Sequence, residues 1–232
     1  RGPKVWNGRD PSEEDAERIL NAALDAGINF IDTAGCYGLS EARIGRYISD
    51  RRDEYYVATK AGCNQVPTED GKIETPHTWD RDTLLRNIEQ SLERMHLDHI
   101  DIWQLHNAAP DQVREGNLLQ VMEEVKAQGL VRFISISSTL PHLDEYIKWG
   151  AFDTFQIPYS ALEPEHHDAI TRAAEAGMGI IIRGGIAKGG PESDVAREDR
   201  VNLWEKAQLG ELLPEGMSPA EMILRYTLTH PH

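Results

Sequence analysis

Cysteine is scarce: the 232 residues hold two, Cys36 and Cys63. Their spacing matches neither a metal-ligand motif nor a disulfide framework, so a reduced compartment and no metal are the simplest expectations. Basic charge is also short, with 24 Lys and Arg against 39 Asp and Glu, a net charge of −15. Such a surface repels nucleic-acid phosphates and anionic lipid, which removes both as expected partners. It leaves room for an anionic cofactor, because a local cluster of donors can bind phosphate inside an acidic protein. No apolar run approaches the length of a membrane span, and no signal-peptide pattern is visible, so a cytoplasmic location is expected. A Gly-x-Gly-x-x-Gly fingerprint is missing after the first strand, which counts against a doubly wound dinucleotide-binding sheet.

What is present is one repeated event. Four times an amphipathic stretch ends in or near glycine and a short apolar strand follows: Leu24–Gly27 into Ile28–Ile31, Ala127–Gly129 into Leu130–Ile134, Lys148–Gly150 into Phe152–Phe155, and Glu175–Gly177 into Met178–Ile182. Glycine there supplies the left-handed residue that stops a helix. Ser12 reads as an N-cap, with Ile19, Leu20, Ala23 and Leu24 on one face. Thr78 reads as the cap of a longer helix carrying Leu84, Leu85, Ile88, Leu92 and Met95, and Leu118, Leu119, Met122 and Val125 mark a third. Strands are expected near residues 29, 55, 99, 131, 152 and 178. Ile180–Ile182 lacks alternation, as in a parallel strand covered on both faces. Strand alternating with helix specifies α/β with a parallel sheet, and polar residues at the strand ends favour a closed barrel over a doubly wound sheet. The span 1–232 reads as a single domain, and 189–216, rich in Gly, Pro and charge, as one long loop with a helical piece around Val201–Leu209.

In a (β/α)₈ barrel the chemistry sits at the C-terminal ends of the strands. Those ends carry Asp32, Lys60, His106, Ser137, Gln156 and Arg183, with Tyr37 in the loop after Asp32. Taken singly each has an ordinary reading: Asp32 as an N-cap, Lys60 as a solvated lysine, Tyr37 as a packed aromatic, His106 as a hydrogen-bonded structural histidine. Together they are harder to dismiss. Lys60 follows Val57-Ala58-Thr59, so its ammonium leaves an apolar strand partly buried and needs a carboxylate, for which Asp32 on the neighbouring strand is the natural partner.

Gly27-Ile28-Asn29-Phe30-Ile31-Asp32-Thr33-Ala34, then Tyr37-Gly38, Ser40-Glu41 and Gly45, resembles the first signature of the aldo-keto reductases. Ala58-Thr59-Lys60 and Gln104-Leu105-His106 resemble that family's next two landmarks, in order. The resemblance runs along nearly the whole chain. It implies a TIM (β/α)₈ barrel, incomplete here, with strands two to seven present. The chain begins at Arg1 rather than Met and stops at His232 just after an apolar helical pattern. It therefore reads as a segment of a longer protein, with the first strand expected before Arg1 and the eighth after His232.

By the same resemblance Asp32, Tyr37, Lys60 and His106 form the catalytic tetrad of an enzyme that reduces an aldehyde or ketone with NADPH, NADH not being excluded. Hydride addition to a carbonyl builds an alkoxide, which needs a proton donor and an oxyanion stabiliser. A tyrosine ionises at roughly pH 10 and an adjacent ammonium lowers that. Tyr37 is thus implied as general acid, Lys60 as its tuner, Asp32 as the counter-ion and His106 as the group that orients the carbonyl. Ser137 stands where the family's cofactor-binding Ser-Asn pair begins; Ser138 replaces the Asn. Gln156 matches the family's carboxamide-binding Gln. Arg183 stands where an aromatic often stacks on nicotinamide, and could stack or bind phosphate. Gly184 and Gly185 allow close backbone approach. The competing readings are a cofactor-binding regulatory subunit of the same fold and a barrel aldolase using Lys60 as a Schiff-base nucleophile. The substrate is expected to be a small carbonyl compound of unspecified kind, with 64–79 and 189–216 shaping its pocket. The sequence leaves the oligomeric state open.

Overall fold

The computed structural model describes residues 11–69, 71, 73–186, 191–192 and 198–232. They form two compact units, the first within Arg1–Ser137 plus Ala151–Asp153, the second Ser138–Gly150 plus Thr154–His232.

In the first unit the strands β1 (Phe30–Asp32) and β2 (Tyr56–Ala61) lie parallel, with Asp32 opposite Ala58. A short antiparallel pair of two-residue strands, β3 (Val66–Pro67) with β4 (Ile73–Glu74), follows within 64–79, the stretch expected to shape the substrate pocket. The parallel sheet then continues through β5 (Ile100–His106) and β6 (Val131–Ser137), with Lys60 opposite Gln104 and His106 opposite Ser137. β5 is buried along almost its whole length. That continuous burial is why Ile100, Ile102, Trp103 and Leu105 show no polar alternation. Helices Ser40–Ile48, Arg81–Met95 and Leu118–Ala127 bury Ile44, Ile48, Leu84, Ile88, Met95, Val121, Met122 and Val125.

In the second unit β7 (Thr154–Pro158) and β8 (Gly179–Arg183) are parallel, Gln156 opposite Ile181. Helices His142–Trp149 and His167–Glu175 bury Leu143, Tyr146, Ile170 and Ala173. Leu162, Trp204 and Ile223 make a smaller core. Among the described residues no helix is long and apolar enough to cross a membrane.

Several expectations change here. The long helix begins at Arg81, capped by Asp80, whose carboxylate accepts from the Thr83 amide at 2.8 Å; Thr78 is not the cap. Ser12 does cap its helix, accepting from the Asp15 amide at 3.1 Å. Ile180–Ile182 are half-buried rather than buried, because β8 has a strand neighbour on one side only. Gln156 is the middle residue of β7, not its end; Pro158 terminates the strand. In 189–216 the helix spans Glu198–Lys206, and residues 189–190 and 193–197 lie outside the described residues. Gly27, Gly129, Gly150 and Gly177 all have positive φ, as their place after a helix requires.

Two residues of the first signature, Glu41 and Gly45, prove to be structural. Glu41 is 2% exposed, yet its carboxylate is fully engaged. Oε1 accepts from Thr59 Oγ1 at 2.6 Å and from Ser91 Oγ at 2.8 Å, and Oε2 pairs with Arg94 at 3.1 Å. One buried charge thus ties helix Ser40–Ile48 to β2 and to helix Arg81–Met95. Four residues on, Gly45 lets the two helices touch backbone to backbone: a Cβ there would stand 2.2 Å from the Arg94 carbonyl oxygen. Gly45→Ala should therefore cost about 1–3 kcal/mol or more by overpacking against backbone that cannot yield. Gly35→Ala, whose Cβ would meet its nearest neighbour at 3.5 Å, should be tolerated. Urea denaturation of the two variants separates them; equal midpoints would contradict the packing argument.

Candidate active site

The site is built at the C-terminal ends of β1, β2 and β5. Strand alternation points Lys60 out of a stretch whose Val57 and Ala58 are wholly buried, and its side chain is 1% exposed. An ammonium so placed must be paired. Its Nζ donates to Asp32 Oδ2 at 2.7 Å and to the Thr33 carbonyl at 2.7 Å. The second carboxylate oxygen, Oδ1, accepts from Gln104 Nε2 at 2.9 Å. Gln104 was legible only as part of a landmark. It lies opposite Lys60 in the sheet register and two residues before His106, on the same face of β5. Burial pulls the Lys60 pKa down, and the Asp32 carboxylate pushes it back.

Tyr37 lies in the turn after β1, 44% exposed, and the Lys60 Nζ stands 4.9 Å from its ring centroid. The His106 ring meets the Tyr37 ring edge-on, centroids 6.0 Å apart at 84°. All four residues therefore come together in one unit, with the ammonium innermost and the phenol outermost.

The fold also joins the two cysteines, which the sequence places near the same rim but with no metal-ligand or disulfide spacing. Cys36 and Cys63, both buried free thiols, bring their Sγ atoms to 2.8 Å. His106 Nδ1 stands 2.7 Å from Cys63 Sγ and 3.7 Å from Cys36 Sγ, and His77 Nε2 is 3.4 Å from Cys63 Sγ. The Cys63 hydrogen bond draws the Cys36 pKa down against the effect of burial, with His106 adding to the pull. The same hydrogen bond holds the proton on Cys63 and pushes its pKa up. The only signal in the sequence was adjacency: Cys36 precedes Tyr37, and Cys63 is three residues past Lys60.

The expected cofactor contacts are distributed over both units. Ser137 ends β6 in the first, buried. In the second, Ser138 and Gln156 are buried, and the Ser138 amide donates to the Gln156 carbonyl at 3.1 Å. Arg183 ends β8, and Gly184 follows with φ +71°, where among the described residues a Cβ would meet the Glu163 carboxylate at 3.7 Å. Buried hydroxyl and amide side chains are the right donor and acceptor types for a carboxamide.

Residues 3–232 match the family model described as the aldo/keto reductase family. The chain belongs to that family. An uncharacterised oxidoreductase of Bacillus subtilis (strain 168) is 30% identical over 175 residues, covering 74% of this chain and 56% of that protein. An aldo-keto reductase of Mycobacterium sp. (strain MCS) is 31% identical over 221 residues, covering 94% of this chain and 70% of that protein. Among solved structures, the holo form of an aldo-keto reductase from Bacillus halodurans is similar with a TM-score of 0.81 and 30% identity, over 95% of this chain and 75% of that one. The chain thus spans little more than half the length of the Bacillus subtilis relative. The fold class is α/β of the (β/α)₈-barrel type, and among the described residues six parallel strands of it are present, β1, β2 and β5–β8.

The charge pair makes a pH prediction. Lys60 holds its proton less tightly folded than unfolded, so the unfolded chain binds more protons between the lowered pKa and the ordinary one. This group's contribution to stability therefore rises with pH through that alkaline window. Asp32→Asn removes the carboxylate that raises the Lys60 pKa, so the lysine should deprotonate at lower pH and the window should widen downward. NMR titration of the Lys60 ε-methylene reads this directly; an unchanged titration would contradict the pairing.

Proposed function

We propose that the whole protein reduces an aldehyde or ketone to an alcohol, with a nicotinamide cofactor as reductant, NADPH in the first instance. The observation that carries this reading is the Lys60 ammonium, buried against Asp32 and placed 4.9 Å from the Tyr37 ring. When bound, the cofactor supplies a hydride to the carbonyl carbon. The chain's own residues do the rest. Tyr37, exposed at the mouth of the site, donates its phenolic proton to the carbonyl oxygen as negative charge develops there. Lys60 stabilises the tyrosinate left behind, and its charge is undiminished in reach because water is excluded around it. Asp32, steadied by Gln104, keeps the lysine charged and aimed. His106 orients the carbonyl oxygen by hydrogen bonding.

For the cofactor we assign contacts to Ser137 in the first unit and to Ser138, Gln156, Arg183 and Gly184 in the second, each on its own chemistry. We assign residues 1–232 to one functional barrel domain acting on a small carbonyl compound. Family membership supports carbonyl reduction in general, and relatives named D-threo-aldose 1-dehydrogenase (Pseudomonas sp) and L-galactose dehydrogenase (Arabidopsis thaliana) point to sugar-like substrates as the first panel to assay. The Schiff-base alternative is disfavoured because Lys60 Nζ already donates to both Asp32 and Thr33. A nucleophilic amine must offer a lone pair instead.

The test is NADPH oxidation by the full-length protein with aldehydes, ketones and aldoses. Tyr37→Phe should lower kcat by about 10²–10⁴-fold while leaving cofactor binding nearly intact. Full turnover in that variant would remove Tyr37 from the acid role. Tight NADPH binding by the parent with no turnover on any substrate would favour a regulatory subunit.

A further inference from the structure

We propose that Cys36, Cys63 and His106 form a three-ligand binding site for a zinc-class divalent metal ion, with the fourth position open to water or an outside ligand. The two sulfurs and His106 Nδ1 lie within 4.8 Å of one another. Two thiolates and one imidazole are a recognised three-ligand set for such an ion, leaving one tetrahedral position open. With metal–sulfur bonds near 2.3 Å and metal–nitrogen bonds near 2.0 Å, ligand atoms in a tetrahedral site stand roughly 3.3–3.8 Å apart. Here the Cys36–His106 separation is 3.7 Å, already in that range, while His77 Nε2, 3.4 Å from Cys63 Sγ, stands outside the three-ligand group. Cys36–Cys63 and Cys63–His106, at 2.8 and 2.7 Å, are collapsed inward. An entering ion needs to spread those two pairs by about 1 Å or less.

Two further observations favour a ligand over simple packing. Both sulfurs are buried, and the small cluster around them, Ala34, Cys36 and Cys63, presents them side by side. The loop carrying His77 is also fixed over the site: Trp79 lies so close above Gly62 that a Cβ there would meet its ring at 2.0 Å. The His77 and Trp79 rings lie 5.7 Å apart, and those of His77 and His106 5.0 Å. The proposal does not rest on the reductase reading, since it concerns Nδ1 of His106. A metal there leaves Nε2 carrying the proton, the tautomer that donates toward a carbonyl oxygen.

The test uses the full-length protein, reduced and freed of metal with a chelator, and titrated with Co²⁺ as a spectroscopic probe. One equivalent should produce thiolate-to-cobalt charge transfer and tetrahedral ligand-field bands, and one equivalent of Zn²⁺ should displace them. Cys63→Ser should lose the charge-transfer intensity and weaken binding by at least about 10-fold, and His77→Ala should weaken it less. In case a variant does not fold, the unmutated protein gives a second reading. Zn²⁺ should slow alkylation of both cysteines at least about 10-fold. Absent charge-transfer bands, cobalt binding that survives both cysteine substitutions, or thiols alkylated equally fast with and without Zn²⁺ would each overturn the site. So would ready formation of a Cys36–Cys63 disulfide in a protein that takes up no cobalt.

Discussion

The organising constraint is a buried positive charge. Lys60 emerges from β2 with its side chain 1% exposed, and water cannot solvate it there. The structure answers with an anion and a carbonyl at 2.7 Å each, drawn from β1 and the residue after it. Satisfying that ammonium fixes the lateral placement of β1 against β2. It also commits Asp32 to one rotamer, braced by Gln104 from β5. Tyr37 and His106 then occupy the rim around a charge whose position is already set. Buried ion pairs are weak evidence for stability, because desolvation offsets much of the attraction. This one is better understood as fixing geometry and charge for chemistry.

A second buried charge serves the scaffold. Glu41 gathers Thr59, Ser91 and Arg94, so the residue next to Lys60 on β2 is held from the opposite side by a helix. The adjacent positions Thr59 and Lys60 therefore face opposite ways, one into the helix layer and one into the site, as strand alternation demands. The close helix contact at Gly45 makes this layer tight enough for Glu41 to reach. The signature that looked like an active-site motif is thus half chemistry and half architecture.

Much of this was legible in the residues alone. Strand positions followed from glycine-terminated helices and apolar runs, because both signals are local. The Asp32–Lys60 pair followed from a single argument about an amine leaving an apolar strand. What local reasoning missed was set by tertiary contact. Asp80 displaces Thr78 as cap because its carboxylate is the one that reaches a free first-turn amide, that of Thr83. Gln104 was legible as part of a landmark but not as a partner of Asp32, which the sheet register opposite Lys60 supplies. Cys36 and Cys63, 27 residues apart, were unpaired on paper because only the parallel β1–β2 arrangement brings the turns after those strands together.

The central claim is that a positive charge at the Lys60 position, rather than the lysine's covalent chemistry, sustains reduction. Chemical rescue tests it most directly: turnover by the full-length Lys60→Ala variant is measured with and without small primary ammonium ions. The account predicts a severely slowed variant whose rate methylammonium restores in part and saturably, while methanol does not. Turnover undiminished by Lys60→Ala, or a slowed rate restored equally by the neutral alcohol, would contradict it.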